Sequence, residues 1–297
     1  MKKKSAVAAL FLIFCLFALP FPAFADTGPK PSVIVTFQNL EQKNCYVTLL
    51  AKESESGPHR VYDPAAGNRD AGDAPEIWQK FVDYKDPDGF HFLQSYQKLG
   101  SDGTFRGGYY PPTQEFKILM YFPGDNAFAV SGESYRPYAF ESYYTVDASA
   151  LSVNPVPNGT IFRARESYDY AGEMWSLLAR TLITIAVELL IALPFGYRSK
   201  QQLGFLALVN VATQFILNIL LNLVNYKQGG LLYLFAYILL EFFVLSLEAV
   251  VYTHSVTLVK YAKTDQKLHP IVYSVVANLA SYAAGLALFF CIPEIFF

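Results

Sequence analysis

From about Met174 onward this chain is almost continuously apolar, and that stretch constrains its fold more than any other feature. A hydrocarbon core about 30 Å thick needs about 20 mostly apolar residues in helical form. Four segments have that length: about Met174–Phe195, Leu203–Val224, Leu231–Val256 and Ile271–Ile292. The joins between them are short, and short joins force antiparallel neighbours, so residues 174–297 are expected to form an antiparallel four-helix transmembrane bundle.

The other end of the chain sets an orientation. Lys2, Lys3 and Lys4 precede an apolar run, and Ala23-Phe24-Ala25 offers the small residues that a signal peptidase reads. Residues 1–25 are therefore expected to be a secretory signal peptide, cut before Asp26. Residue 26 would then lie outside. The join with Arg198 and Lys200 and the join with Lys260, Lys263 and Lys267 would be cytoplasmic, and the join with only Lys227 would be outside, as the positive-inside rule requires. The expected localisation is the plasma membrane of a bacterial-type cell, multi-pass, with 26–173 and the C-terminus extracytoplasmic. Trp175, Tyr226 and Tyr233 would sit at the outer interface.

Residues 26–153 are polar, aromatic and rich in turn residues. Ser32–Phe37, Cys45–Ala51, Phe90–Tyr96, Phe116–Phe122, Asn126–Val130 and Tyr138–Val146 alternate with a period of two, which predicts strands. Pro75–Asp83 reads as one short helix, with Asp73 as its cap. The expected fold is an α+β membrane protein: an extracytoplasmic β-sandwich-like domain, immunoglobulin-like in shape, followed by the bundle. Residues 154–173 read as a linker and juxtamembrane segment, with Ile161–Gly172 as a surface helix. Once the signal peptide with Cys15 is removed, Cys45 and Cys291 remain. One cysteine cannot staple the exported domain, so that domain must bury an ordinary core.

Chemistry is sparse there. Asp86-Pro87-Asp88-Gly89 resembles part of a calcium loop but lacks the remaining ligands, and a turn accounts for it better. His59 and His91 have no ligand-spaced partner, and no nucleophile motif or cofactor fingerprint appears, so no cofactor is expected and an enzyme is disfavoured. Tyr109, Tyr110, Tyr135, Tyr138, Tyr143 and Tyr144 either fill the core, the preferred reading, or line a groove for sugar or peptide. A net charge of −2 without a basic stripe argues against nucleic acid.

The spans themselves carry more information. A charge at a helix centre costs about 2.5–3.5 kcal/mol on the insertion scale, and each large apolar residue returns only about 0.3–0.6. The third span holds both Glu241 and Glu248 and is barely stable alone in lipid, so its carboxylates must face other helices. Counting about ten residues from the cytoplasmic markers, at about 1.5 Å per residue, puts Glu188, Asn210, Glu248 and Asn278 at one height, with Thr213 and Thr184 beside them. Arg180, Asn218 and Glu241 fall in a second layer nearer the outside, with Arg180 the natural partner of Glu241. Glu241, Glu248 and Tyr252 share a face, and Asn210, Gln214, Asn218 and Asn222 form another stripe. Such a cluster is either polar glue between helices or a proton or cation site. Whether it binds a metal is open.

The segments Glu188–Arg198 (ELLIALPFGYR), Leu208–Asn222 (LVNVATQFILNILLN) and Leu240–Tyr252 (LEFFVLSLEAVVY) resemble those of uncharacterised small bacterial multi-span proteins. The resemblance implies no activity, and no residue role is carried over from it. The leading functional expectation is a membrane-anchored cell-surface binding module that takes a glycan or protein ligand. The alternative is a small proton- or cation-coupled transporter or channel component using Glu188 and Glu248. Four helices are few for transport, so the alternative implies a homo-oligomer or a membrane protein partner besides the lipid bilayer.

Overall fold

The computed structural model describes residues 30–41, 44–52, 75–107, 112, 114–255 and 268–291. The expected signal peptide, Cys15, the expected Asp73 cap, His59, Tyr109, Tyr110, Lys260, Lys263 and Lys267 lie outside the described residues. The chain divides into two compact units. One is a β unit built on Lys30–Tyr168, and the other is a helical unit built on Asp169–Asn225 and the described residues from Gly230 onward.

The β unit contains nine strands among the described residues: β1 (Ser32–Gln38), β2 (Tyr46–Ala51), β3 (His91–Lys98), β4 (Thr104–Gly107), β5 (Phe116–Phe122), β6 (Ala127–Ser131), β7 (Glu141–Asp147), β8 (Thr160–Phe162) and β9 (Ala164–Glu166). They form two mixed sheets, ordered β4-β1-β7-β9 and β3-β2-β5-β6-β8. β1 runs parallel to β7, with Ser32 opposite Glu141 and Gln38 opposite Asp147, and β6 runs parallel to β8. The other pairs are antiparallel. Helix α1 (Pro75–Asp83) precedes β3.

Strand β5 shows how the layers are stacked. Its sequence FKILMYF is buried at every position, because both faces of its sheet are covered. Phe116, Ile118, Met120 and Phe122 join Val33 and Val35 of β1, Val47 of β2 and Val146 of β7 in one hydrophobic cluster, to which both sheets contribute. Leu119 and Tyr121 point the other way, onto Ile77, Trp78 and Phe81 of α1. The period-two pleat of a strand and the 3.6-residue period of an amphipathic helix meet at that second cluster. Cys45 is a free thiol, fully buried in the first cluster.

The odd member of β5 is Lys117, which is 4% exposed. Its ammonium lies 3.0 Å from Asp86 Oδ1 and also meets the Asp88 carboxylate. Asp86 Oδ2 accepts the backbone N–H of Asp88 at 3.0 Å and of Phe90 at 3.4 Å, which shapes the turn that ends at Gly89 with φ +82°. The acidic pair of the Asp86–Gly89 segment is thus spent on a buried lysine and on turn amides. Lys117 titrates above its ordinary value: burial opposes its charge, but hydrogen bonds to Asp88 and Asp86 outweigh burial. The Lys117 hydrogen bond holds the Asp88 carboxyl below its ordinary range.

Residues 154–173 differ from the linker and surface helix expected of them. Phe128 N donates to Asn158 Oδ1 at 2.8 Å and Val156 N to Asp125 Oδ2 at 3.0 Å, so the segment is pinned to the β5–β6 hairpin. β8 and β9 then extend one sheet each, and no helix forms before Tyr170. Ala164 and Phe162 find hydrophobic partners in the sheets, which outweighs any local helical preference.

The helical unit contains α2 (Tyr170–Ala192), α3 (Lys200–Gln228), α4 (Gly230–His254) and α5 (Leu268–Cys291). Asp169 caps α2, its side chain accepting Gly172 N at 2.9 Å. α2 stops at Ala192 rather than Phe195, because Pro194 cannot continue it and Gly196 takes φ +85°. α3 runs past Val224 to Gln228, since nothing in Asn225-Tyr226-Lys227-Gln228 breaks a helix. Gly229, with φ +78°, ends it. α2, α3 and the Leu231–His254 part of α4 are long and apolar enough to cross a membrane, so the chain reads as a membrane protein.

Candidate functional site

Each helix of the helical unit brings one polar stripe inward, while its large apolar residues, such as Leu182, Leu208, Phe243 and Leu279, are exposed. That inversion suits lipid as the solvent: tails cover the apolar surface and backbone hydrogen bonds stay within each helix. The polar groups then need partners inside.

Glu248 of α4 is fully buried. Its Oε1 accepts the Thr213 hydroxyl of α3 at 2.8 Å, and its Oε2 accepts Asn278 Nδ2 of α5 at 2.7 Å. Both carboxylate oxygens are therefore served, one from each neighbouring helix. Asn278 Nδ2 also reaches Ser274 O at 3.0 Å, one turn back, and Ser281 Oγ donates to Asn278 O at 3.0 Å. Asn210 of α3 is fully buried, with its Nδ2 committed to Leu206 O at 3.1 Å and to Tyr252 Oη at 3.2 Å.

Glu188 of α2 is also fully buried, but neither carboxylate oxygen has a hydrogen-bond partner in the protein. Asn210 and Ser281 lie beside it as its nearest donors, without reaching formed hydrogen-bond geometry, and it is close enough to Glu248 for the two charges to interact. The amide oxygens Oδ1 of Asn210 and Asn278 are likewise buried without a partner. Around Glu188 the backbone is held fast: Tyr273 Oη of α5 donates to Glu188 O at 3.2 Å, and the Tyr273 ring packs against Tyr252 and Tyr197.

Glu188, Asn210, Thr213, Glu248 and Asn278 thus occupy one buried neighbourhood. The second group is arranged differently from expectation. Arg180 donates to Tyr233 Oη at 2.9 Å and Asn222 Oδ1 at 3.2 Å, and these partners replace the expected Glu241. Glu241 is half-buried beside Tyr237. Asn218 turns back onto its own helix, donating to Gln214 O at 2.8 Å. The layer therefore exists as Arg180, Tyr233 and Asn222, with Glu241 apart from the arginine. Thr184 is half-buried.

Sequence reasoning missed Tyr273, Ser274 and Ser281. The signal was available, since Ser274 and Ser281 lie four residues before and three after Asn278 on one helical face. Among the described residues no group of three or more His, Cys, Asp or Glu could hold a metal ion. What the cluster offers is oxygen: a satisfied carboxylate, an unsatisfied one and two unsatisfied amide carbonyls.

Comparison with protein-family models, curated proteins and solved structures finds no match for the chain.

Proposed function

We propose that the protein is a multi-pass membrane protein that takes up a small cation, a proton or an alkali ion, between its helices, and that it acts as a component of ion- or proton-coupled transport. One observation carries this reading: Glu188 is 0% exposed, yet both its oxygens lack a partner. A carboxylate buried without donors is strongly destabilising unless a cation or proton neutralises it. A bundle that serves only as an anchor has no use for such a group. Polar glue would resemble Glu248, with each oxygen matched to a donor.

In this proposal α5 is a fourth span, and the β unit is an extracytoplasmic β-sandwich delivered by a signal peptide and followed by α2. It serves as an accessory module that meets glycan or protein ligands at the surface of a bacterial-type cell. The C-terminus is extracytoplasmic, and a homo-oligomer or a membrane partner completes the pathway. The arrangement of β1, β2, β5 and β7 around one cluster supports the sandwich.

The test is reconstitution of the full chain into vesicles containing a pH-sensitive dye, with sodium and proton gradients imposed in turn. Wild-type protein is expected to move one of these ions, and Glu188→Gln to abolish the movement with its helix content intact. Equal flux in wild type, Glu188→Gln and empty vesicles would overturn the proposal.

A further inference from the structure

We infer that the two buried glutamates have divided roles, with Glu188 the ligand of a monovalent alkali cation and Glu248 a fixed acceptor that orients the amide ligands. This inference rests on the cation-uptake reading and names its ion.

The argument starts with the donors. Thr213 Oγ1 and Asn278 Nδ2 each serve one oxygen of Glu248, at 2.8 and 2.7 Å. Ser281 serves Asn278 O, and Tyr273 serves Glu188 O. Asn210 Nδ2 is used on Leu206 O and Tyr252 Oη. Because both amide nitrogens are committed, the orientation of each amide is set, and the Asn210 N–H groups beside Glu188 are spent on Leu206 O and Tyr252 Oη.

What remains is a set of acceptors. Glu188 Oε1 and Oε2, Asn210 Oδ1 and Asn278 Oδ1 are four buried oxygens with no hydrogen-bond partner in the protein. One proton on Glu188 converts one oxygen into a donor and pairs it with one acceptor, which leaves the others unmatched. A dehydrated cation contacts several oxygens at once. Hard oxygen donors of carboxylate and carbonyl type select s-block cations over transition metals, which prefer imidazole and thiolate.

The charge of the ion follows from the division of labour. Each oxygen of Glu248 is already held by a hydrogen-bond donor, so Glu188 is the carboxylate whose oxygens are left to act as ligands. A divalent ion in this setting would call for further carboxylates, and the described residues hold no such group of three.

The experiment measures thermal unfolding of the full chain in detergent at a fixed alkaline pH, with sodium chloride titrated against choline chloride at constant ionic strength. Binding to the folded state raises the melting temperature in a saturable way. Wild type is expected to rise by a few degrees with sodium. Glu188→Gln is expected to lose that rise. Glu188→Asp, which keeps the charge but withdraws it by one methylene, is expected to need several-fold more sodium for half the effect. Glu248→Gln is expected to melt lower without cation and still respond to sodium. Sodium and choline acting alike on folded wild type would overturn the inference, as would a sodium response that survives in Glu188→Gln. If those results came with Glu188-dependent proton flux in vesicles, the alkali assignment would fail while cation uptake stood. If neither ion moved, both would fall.

Discussion

Replacing Lys117 by Met should unfold the β unit at far lower urea than wild type. Lys117 and Asp86 are a buried pair, with side chains 5% and 0% exposed. Removing one partner of such a pair strands the other charge and costs about 3–5 kcal/mol. Asp86 keeps the N–H groups of Asp88 and Phe90, and Asp88 is mostly solvent-exposed, so the lower end, about 3 kcal/mol, is expected. With a urea dependence of about 1–3 kcal/mol per molar, the midpoint should fall by about 1–3 M. The chain contains two tryptophans. Trp78 is buried against Phe92 at 5.2 Å, and Trp175 is exposed on α2. In a Trp175→Phe background, emission therefore reports the β unit within the full-length protein. Adding Asp86→Asn to Lys117→Met should recover most of the loss, because the stranded charge is then gone. A single variant with an unchanged midpoint would refute the reasoning, and so would a double variant weaker than the single one.

Four further outcomes are expected. The same emission assay across pH should show a plateau for the Lys117 contribution. The folded value of Lys117 is raised, so its contribution is complete below about pH 10.4 and is lost as pH climbs through that raised value. The folded value of Asp88 is depressed, so its contribution is present above about pH 3.9 and fades as pH drops through the depressed value. Lys117→Met should remove both limbs. Burial pushes the Cys45 thiol up to about 12, so mass spectrometry should find Cys45 unalkylated in the native protein at mild pH and alkylated once urea is added. Gly103→Ala should destabilise the β unit by about 1–2 kcal/mol, because φ is +66° and the new Cβ would stand 2.8 Å from Phe37 O. Thr213→Val should lower the detergent melting stability by about 0.6–1.7 kcal/mol through its lost bond to Glu248, and Thr213→Ser should not.

Much of this was legible in residue order, for identifiable reasons. β5 was readable because six of its seven positions are apolar or aromatic residues of strand type, bounded by turn residues, and such a run admits few alternatives. β4, β8 and β9 were not, since strands of four, three and three residues have no period to detect. They exist because β1, β6 and β7 offer edges to pair with. Depth counting along helices of constant rise put Glu188, Asn210, Glu248 and Asn278 at one height, and in the structure Glu248 hydrogen-bonds Thr213 and Asn278. The partner of Arg180 was not. Height along a helix is legible, but rotation about its axis and the reach of a long side chain are not. Tyr233 and Asn222 stand where Arg180 extends.

The parallel pairing of β1 with β7 has a consequence for how the chain is made. Synthesis delivers Ser32–Gln38 first and Glu141–Asp147 more than a hundred residues later. Until then β1, whose Val33, Val35 and Phe37 belong to the core, has β4 on one edge at most and its other edge unpaired. Closing so long a loop is slow, and an uncovered strand of this kind invites pairing with other chains. A growing polypeptide of this type therefore has an interval of vulnerability set by the ribosome's pace, and holdase chaperones that grip extended apolar segments would find their target in its earliest strand.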